Sequence, residues 1–380
     1  MRILMLSIFS AHFVNWTQQL EESGHEIYWL DVLDSKVKID KLDFVDQISG
    51  WRYRWDFPGR YTLKNKFPFI NKLVNNINEK SYISKLEKEI ERIKPEAIHC
   101  FVMFLTAVPI YQVIKKYRGI KWIYSAWGSD LYFHQDHSEF SAGIKQVLPL
   151  MDYLFVDCKR DELIAKKLGF KGEFLGVFPG GGGFEMPPLD QLPTIVEREI
   201  ILIKGYQNEL GNCIQVLKAL ELINKETRNF EIVIFGAEQS VFEYINNSGL
   251  LRKRIKVLAK IPYEEVENLM SKSLIYIGNS RSDGMPNTLL EAIVMGVFPI
   301  QSNPGGATAE IISHKKNGML IEDPENEFEI AAHIKEVIEN KEMMEKAVAY
   351  NNKNVRPTLE RELVKKEVFE KYAFVEKQLN

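Results

Sequence analysis

The sequence predicts an α/β protein built as two parallel-sheet halves. Three observations support this. Short apolar runs of strand length alternate with amphipathic helical patterns, and the alternation starts twice. At 380 residues the chain is long for one core, so two domains are expected. One segment breaks the pattern: Gly180-Gly181-Gly182-Gly183, followed by Pro187, Pro188 and Pro193, reads as a linker.

In chain order, 3–8 is an apolar run suited to a strand buried on both faces. Residues 13–23 have helical spacing that stops at Gly24, and 26–31 is the next strand. Residues 81–93 form a charged amphipathic helix closed by Lys94-Pro95. Strands are expected at 97–101, 122–125 and 153–156, with helices near 105–117 and 159–168. The second half reads as strand 199–203, helix 211–224, strand 230–235, helix 239–246, strand 255–258, helix 263–271, strand 274–278, helix 288–295 and strand 297–300. Domains of 1–185 and 186–355 follow, with an amphipathic segment at 356–380.

Composition narrows the function. A net charge of −3 gives no support to nucleic-acid binding. Cys100, Cys158 and Cys213 are widely spaced and odd in number, which points to a reducing compartment rather than a disulfide framework. The opening Met1-Arg2-Ile3-Leu4 reads as a first strand, not a signal peptide, and no apolar run reaches membrane-spanning length.

The most informative stretch is Ser282-Asp283-Gly284-Met285-Pro286-Asn287-Thr288-Leu289-Leu290-Glu291-Ala292. Its pattern is strand, turn, helix, with Asp283 on the turn and Glu291 one to two turns into the helix. A helix start offers free N–H groups that suit a phosphate. Carboxylates repel phosphate but accept hydrogen bonds from sugar hydroxyls. A turn that holds both kinds of group is what a nucleotide-sugar site needs.

This stretch resembles the acidic motif of retaining GT-B glycosyltransferases, glycosyltransferase family 4: Glu, seven residues, Glu, with Asp283 in the first place. The run 296–306 and Asn317-Gly318 extend the resemblance, which is strongest over 199–335 and weaker over 1–180. It implies two Rossmann-like domains facing across a cleft, acceptor on the first and donor on the second, with a C-terminal helix crossing back. It further implies retaining transfer from a nucleotide diphosphate sugar to a glycan or lipid-linked acceptor. No metal and no cofactor would be needed. The setting would be surface polysaccharide synthesis, in the cytoplasm at the inner membrane face.

The resemblance also assigns roles. Glu291 would accept hydrogen bonds from the donor ribose, and Asp283 from the donor sugar. The N–H groups of Gly284, Met285, Asn287 and Thr288 would face sugar and diphosphate. At the first turn of the second half, Lys204-Gly205-Tyr206, family members often carry a Gly-Arg and a Lys five residues later; here Tyr206 and Gly211 take those places. Lys204 is the nearest cation to the diphosphate, and a solvated strand end is the competing reading. Ile261 and Gly236 sit at turns that would border the donor, or are ordinary turns. Gly128-Ser129-Asp130 resembles an acceptor-facing loop, in which Asp130 would orient or deprotonate a hydroxyl, or else cap a turn. Ser10, His12 and His134 join the acceptor side. The spacing of His134, Asp136 and His137 is weak for a metal, and no metal site is expected.

Residues 51–72 hold six cations and one acid, Asp56, among aromatics. They suit a membrane interface, an anionic lipid-linked acceptor or a solvated loop. Two rivals to the transferase remain: a nucleotide-sugar epimerase of the same fold, and a sugar-nucleotide-binding protein without turnover.

Overall fold

The computed structural model describes residues 1–58 and 60–379. Among these, the first half forms one parallel sheet from β1 (Arg2–Ser7), β2 (Glu26–Asp31), β3 (Asp46–Ile48), β4 (Ala97–Phe101), β5 (Lys121–Ala126), β6 (Tyr153–Val156) and β7 (Glu173–Val177), in spatial order 3-2-1-4-5-6-7. The second half forms another from β8 (Ile200–Lys204), β9 (Glu231–Phe235), β10 (Ile255–Val257), β11 (Ser273–Gly278), β12 (Phe298–Ser302) and β13 (Met319–Ile321), in order 10-9-8-11-12-13. Central strands such as β1 and β11 are apolar and buried almost throughout, because helices cover both faces.

The order reverses between β1 and β4 and again between β8 and β11. Ligands in open α/β sheets bind beyond the strand carboxyl ends at such reversals. The turns after β1, β8 and β11 therefore sit where a ligand is expected.

Local chemistry sets the element ends. Ser10 Oγ accepts from Phe13 N at 3.2 Å and starts the helix Ala11–Gln18, which ends earlier than the expected 23 and gives way to turns. Lys94 adopts a left-handed conformation, φ 50°, and closes the helix Tyr82–Ile93 ahead of Pro95. Strands β3, β7 and β13 were not anticipated. The first and last have three residues each, and β7 has Gly176 at φ 145° beside a register irregularity.

Residues 51–72 are largely folded rather than loop. Trp51 is buried, Arg52 pairs with Glu79 at 2.8 Å, and the Arg60 guanidinium lies 3.8 Å from the Tyr53 ring centre. Helices Arg60–Lys66 and Pro68–Asn78 follow. At the other end of the chain, the helix Arg361–Lys377 packs Val364, Val368, Tyr372 and Val375 into the apolar core around Ile3, Met5, Phe13 and Trp16. Among the described residues no helix is long and apolar enough to cross a membrane.

Candidate functional site

The acidic stretch folds as strand β11, a turn, and the helix Asn287–Val294. Pro286 occupies the N-cap position without a side-chain cap. Among the described residues, the N–H groups of Met285, Asn287 and Thr288 have no protein acceptor. They are free donors at a positive helix end, where an anion binds. The Gly284 N–H is not one of them, contrary to the sequence expectation: it donates to Asp283 Oδ1 at 3.0 Å. Met285 itself is buried, and the Thr288 hydroxyl accepts from Tyr276 at 2.8 Å, which fixes the first turn from beneath.

Glu291 sits one turn into this helix with no hydrogen-bonded partner among the described residues. Burial pushes its carboxyl up to about 7, and nearby Lys204 works in the opposite direction. The Lys204 ammonium lies 3.9 Å from Asp283 Oδ2 and 4.5 Å from the Tyr206 ring centre. Only 14% of its side chain is exposed, so it is held inside the site rather than freely solvated. Lys204 thus pairs with Asp283 and favours the charged form of Glu291.

Glycine is required beside it. A Cβ on Gly205 would fall 2.6 Å from Ala237 Cα, so the turn after β8 can touch the turn after β9 only without a side chain. Gly236, at φ 62°, lies against the Tyr206 ring. A Cβ on Gly211 would meet Tyr206 at 2.7 Å, which leaves no room for a side chain there. Ile261 is half-buried against the apolar cluster that contains Leu289 and Ile293.

The first domain closes the other wall. His12 Nδ1 lies 2.8 Å from Asn287 Nδ2, a contact between the two halves. The surrounding protein lowers the imidazole pKa, Asp283 opposes, and Lys204 adds to the lowering. A neutral ring then accepts at Nδ1 and carries its proton on Nε2. Ser10 is the cap that orients this turn. Gly128, at φ 62°, meets Gly284 so closely that a Cβ on it would fall 2.3 Å from Gly284 N. Ser129 lies on the same short turn.

Asp130 is 5% exposed. Its Oδ2 accepts from Met103 N and from the Tyr124 hydroxyl, each at 2.9 Å, and burial pushes its carboxyl up to about 7. These contacts tie its carboxylate to β5 and to the turn after β4, inside the first half. His134 packs against Phe140 (4.4 Å between ring centres) and Phe104 (4.7 Å), and its buried Nδ1 has no partner among the described residues.

Sequence reasoning missed several cleft-wall residues. Asp157 presses its carboxylate toward Gly284, where a Cβ would fall 2.3 Å from Oδ2. Glu310, from the second half, accepts from Lys159 N (2.6 Å) and Arg160 N (2.9 Å), and so caps the helix Lys159–Lys167 across the cleft. Arg160 donates to Pro304 O at 2.6 Å. The available signal was position: Asp157 and Arg160 follow β6, as Gly128 follows β5, and Glu310 lies in the turns after β12. One described group has metal-like spacing, Asp157, Cys158 and Asp161, all buried. Arg160 already serves Asp161 there, at 2.8 Å.

Comparison with known proteins agrees with this architecture. Residues 190–354 match the family model of glycosyl transferases group 1, and 2–155 match that of glycosyl transferase 4-like domains. Sucrose-phosphate synthase from Thermosynechococcus elongatus superposes with a TM-score of 0.73 at 15% identity, covering 99% of each chain. Anabaena HepE, solved with UDP-glucose, gives 0.69 at 13% identity over 98% of this chain and 100% of its own. A glycosyltransferase from Rickettsia africae gives 0.66 at 13%, over 99% and 98%. No curated protein matches by sequence. Two doubly wound sheets meeting across a cleft, the acidic turn of the second sheet and matches to both family models lead to one conclusion: the chain belongs to the group 1, family-4-like glycosyltransferases of GT-B fold.

Proposed function

We propose that the protein is a retaining, metal-independent transferase that moves a sugar from a nucleoside diphosphate sugar to a glycan or lipid-linked glycan, in surface polysaccharide synthesis at the cytoplasmic membrane face. The observation that carries this reading is the Lys204 ammonium beside Asp283 and Glu291, next to a helix start with free N–H donors. It supports Lys204 as the stand-in for the Arg and Lys that this sequence lacks. The departing diphosphate gains one fixed cation and a row of oriented dipoles, and such preorganised charge is usually the largest catalytic contribution. Glu291 holds the ribose hydroxyls and Asp283 the sugar. The acceptor hydroxyl enters from the side of His12 and Gly128 and attacks the face that the diphosphate leaves, and the diphosphate takes its proton. Walls meeting at Gly128 and Gly284 exclude water and limit hydrolysis of the donor. HepE was solved with UDP-glucose, so uridine donors are the first to test.

The test is a thermal-shift panel of nucleoside diphosphates and their sugars, followed by transfer assays with and without a chelator. One nucleotide should raise the melting temperature selectively. Lys204→Met should lower transfer by about 10²–10³-fold. No shift with any nucleotide, together with a Lys204→Met variant as active as the parent, would sink the proposal.

A further inference from the structure

The helix Pro68–Asn78 is amphipathic in the wrong direction for a packed surface helix. Phe69, Leu73 and Ile77 recur every four residues, and Ile70 adjoins them, which makes one apolar stripe. A helix lying on a core turns such a stripe inward. Here it faces out: Phe69 is 74% and Ile77 66% exposed, and Ile70, Leu73 and the preceding Phe67 are exposed too. The opposite, asparagine-rich face leans on the protein, and Asn78 is fully buried. Among the described residues, none of the five apolar side chains joins any apolar core.

The hairpin is anchored rather than loose. Asn78 Oδ1 accepts from Arg54 N (3.1 Å) and Trp55 N (2.9 Å), and its Nδ2 donates to Trp55 O at 2.9 Å. The chain enters through Trp51, whose Nε1 donates to Asp31 O at 2.8 Å, at the carboxyl end of β2. That is the sheet edge from which His12 reaches the cleft. No acid occurs between Asp56 and Glu79, while Arg60, Lys64, Lys66 and Lys72 do. Among the described residues, no carboxylate pairs with Lys66 or Lys72.

We infer that this hairpin is a docking face for an anionic lipid bilayer, with Phe67, Phe69, Ile70, Leu73 and Ile77 entering the interface and the lysines meeting lipid phosphates. Apolar area plus cations is the combination that holds a helix in the plane of a charged membrane. Docking at this edge would present the cleft to an acceptor carried by lipid. The inference gives the proposed transferase a location, and it is tested separately from transfer.

The full chain is sedimented with vesicles of phosphatidylcholine alone and of phosphatidylcholine with phosphatidylglycerol. It should pellet with the anionic vesicles, weakly with the neutral ones, and less as salt rises. The triple variant Phe69→Ser, Leu73→Ser, Ile77→Ser should lose about tenfold or more in vesicle affinity. The pair Lys66→Glu, Lys72→Glu should lose at least about fivefold per cation. Both should keep the parent's melting temperature and nucleotide binding, so a failure of docking is distinct from a failure of the donor site. Equal pelleting with both vesicle types, undiminished pelleting of either variant, or a parent dimer in analytical ultracentrifugation that the serine variant dissociates would overturn the inference; the last would assign the face to a second copy.

Discussion

Glu291 is pushed up to about 7 because burial in an apolar helix, with Glu267 adding to it, outweighs the nearby Lys204, and among the described residues no donor hydrogen-bonds to its carboxylate. In the unfolded chain it would ionise in the ordinary carboxylate range. The folded state therefore binds a proton that the unfolded state releases between that range and about 7, so this group makes stability fall as pH rises through the interval. Glu291→Gln removes the penalty. Its melting temperature should exceed the parent's at about pH 8, by on the order of 1–3 kcal/mol in stability, and converge with it in acid. Transfer should fall about tenfold to a hundredfold, since a charged acceptor of ribose hydrogen bonds is lost. A variant with unchanged turnover, or one less stable than the parent at alkaline pH, would reject this account. The sequence disclosed the spacing of Asp283 and Glu291 and the candidacy of Lys204. It could not disclose that Lys204 leans back onto the motif, because that depends on where β8 and β11 end side by side.

At the scale of elements, the helix Arg361–Lys377 is fastened to the first sheet by a buried polar chain. Trp16 Nε1 donates to the Tyr372 hydroxyl at 3.2 Å, that hydroxyl lies 2.7 Å from His99 Nδ1, and His99 Nε2 lies 2.8 Å from Ser125 Oγ. Burial holds His99 well below its usual pKa, so the ring is neutral and the chain runs without a charge. Tyr372→Phe leaves the Trp16 N–H and a ring nitrogen unpaired. It should cost about 1–3 kcal/mol, read by urea unfolding, with little effect on nucleotide binding. Central strands such as β1, β4 and β11 were legible because burial on both faces makes them continuously apolar. The edge strands β3 and β13 were not: each has only three residues, and Asp46-Gln47-Ile48 holds a single apolar side chain. Nor was the hairpin at 60–78, whose clean amphipathic pattern does not say which way the stripe faces.

For the whole molecule, what matters is how closely the two walls meet. Gly284 packs against both Gly128 and the Asp157 carboxylate, and a methyl group there would overlap both. Gly284→Ala should hold the halves apart without strain within either one. Its radius of gyration by X-ray scattering should exceed the parent's. Transfer should drop on the order of a hundredfold, the scale of a small misplacement of reacting groups. An alanine variant as compact and as active as the parent would show that the contact is dispensable.

The three cysteines turn this architecture into a clock. Cys100 and Cys213 lie in the cores of the first and second halves, and burial pushes each thiol up to about 12. Cys158 is equally hidden, but it follows a strand of the first half and packs into an apolar cluster of the second. Its cover is the partner domain rather than its own. A thiol-specific reagent can therefore reach it whenever the halves part, whereas the other two require a core to unfold. Under native conditions one thiol should react well ahead of two, as counted by mass spectrometry. Saturating nucleotide should slow that first event and leave the later pair unchanged, so that labelling kinetics report the opening of the cleft.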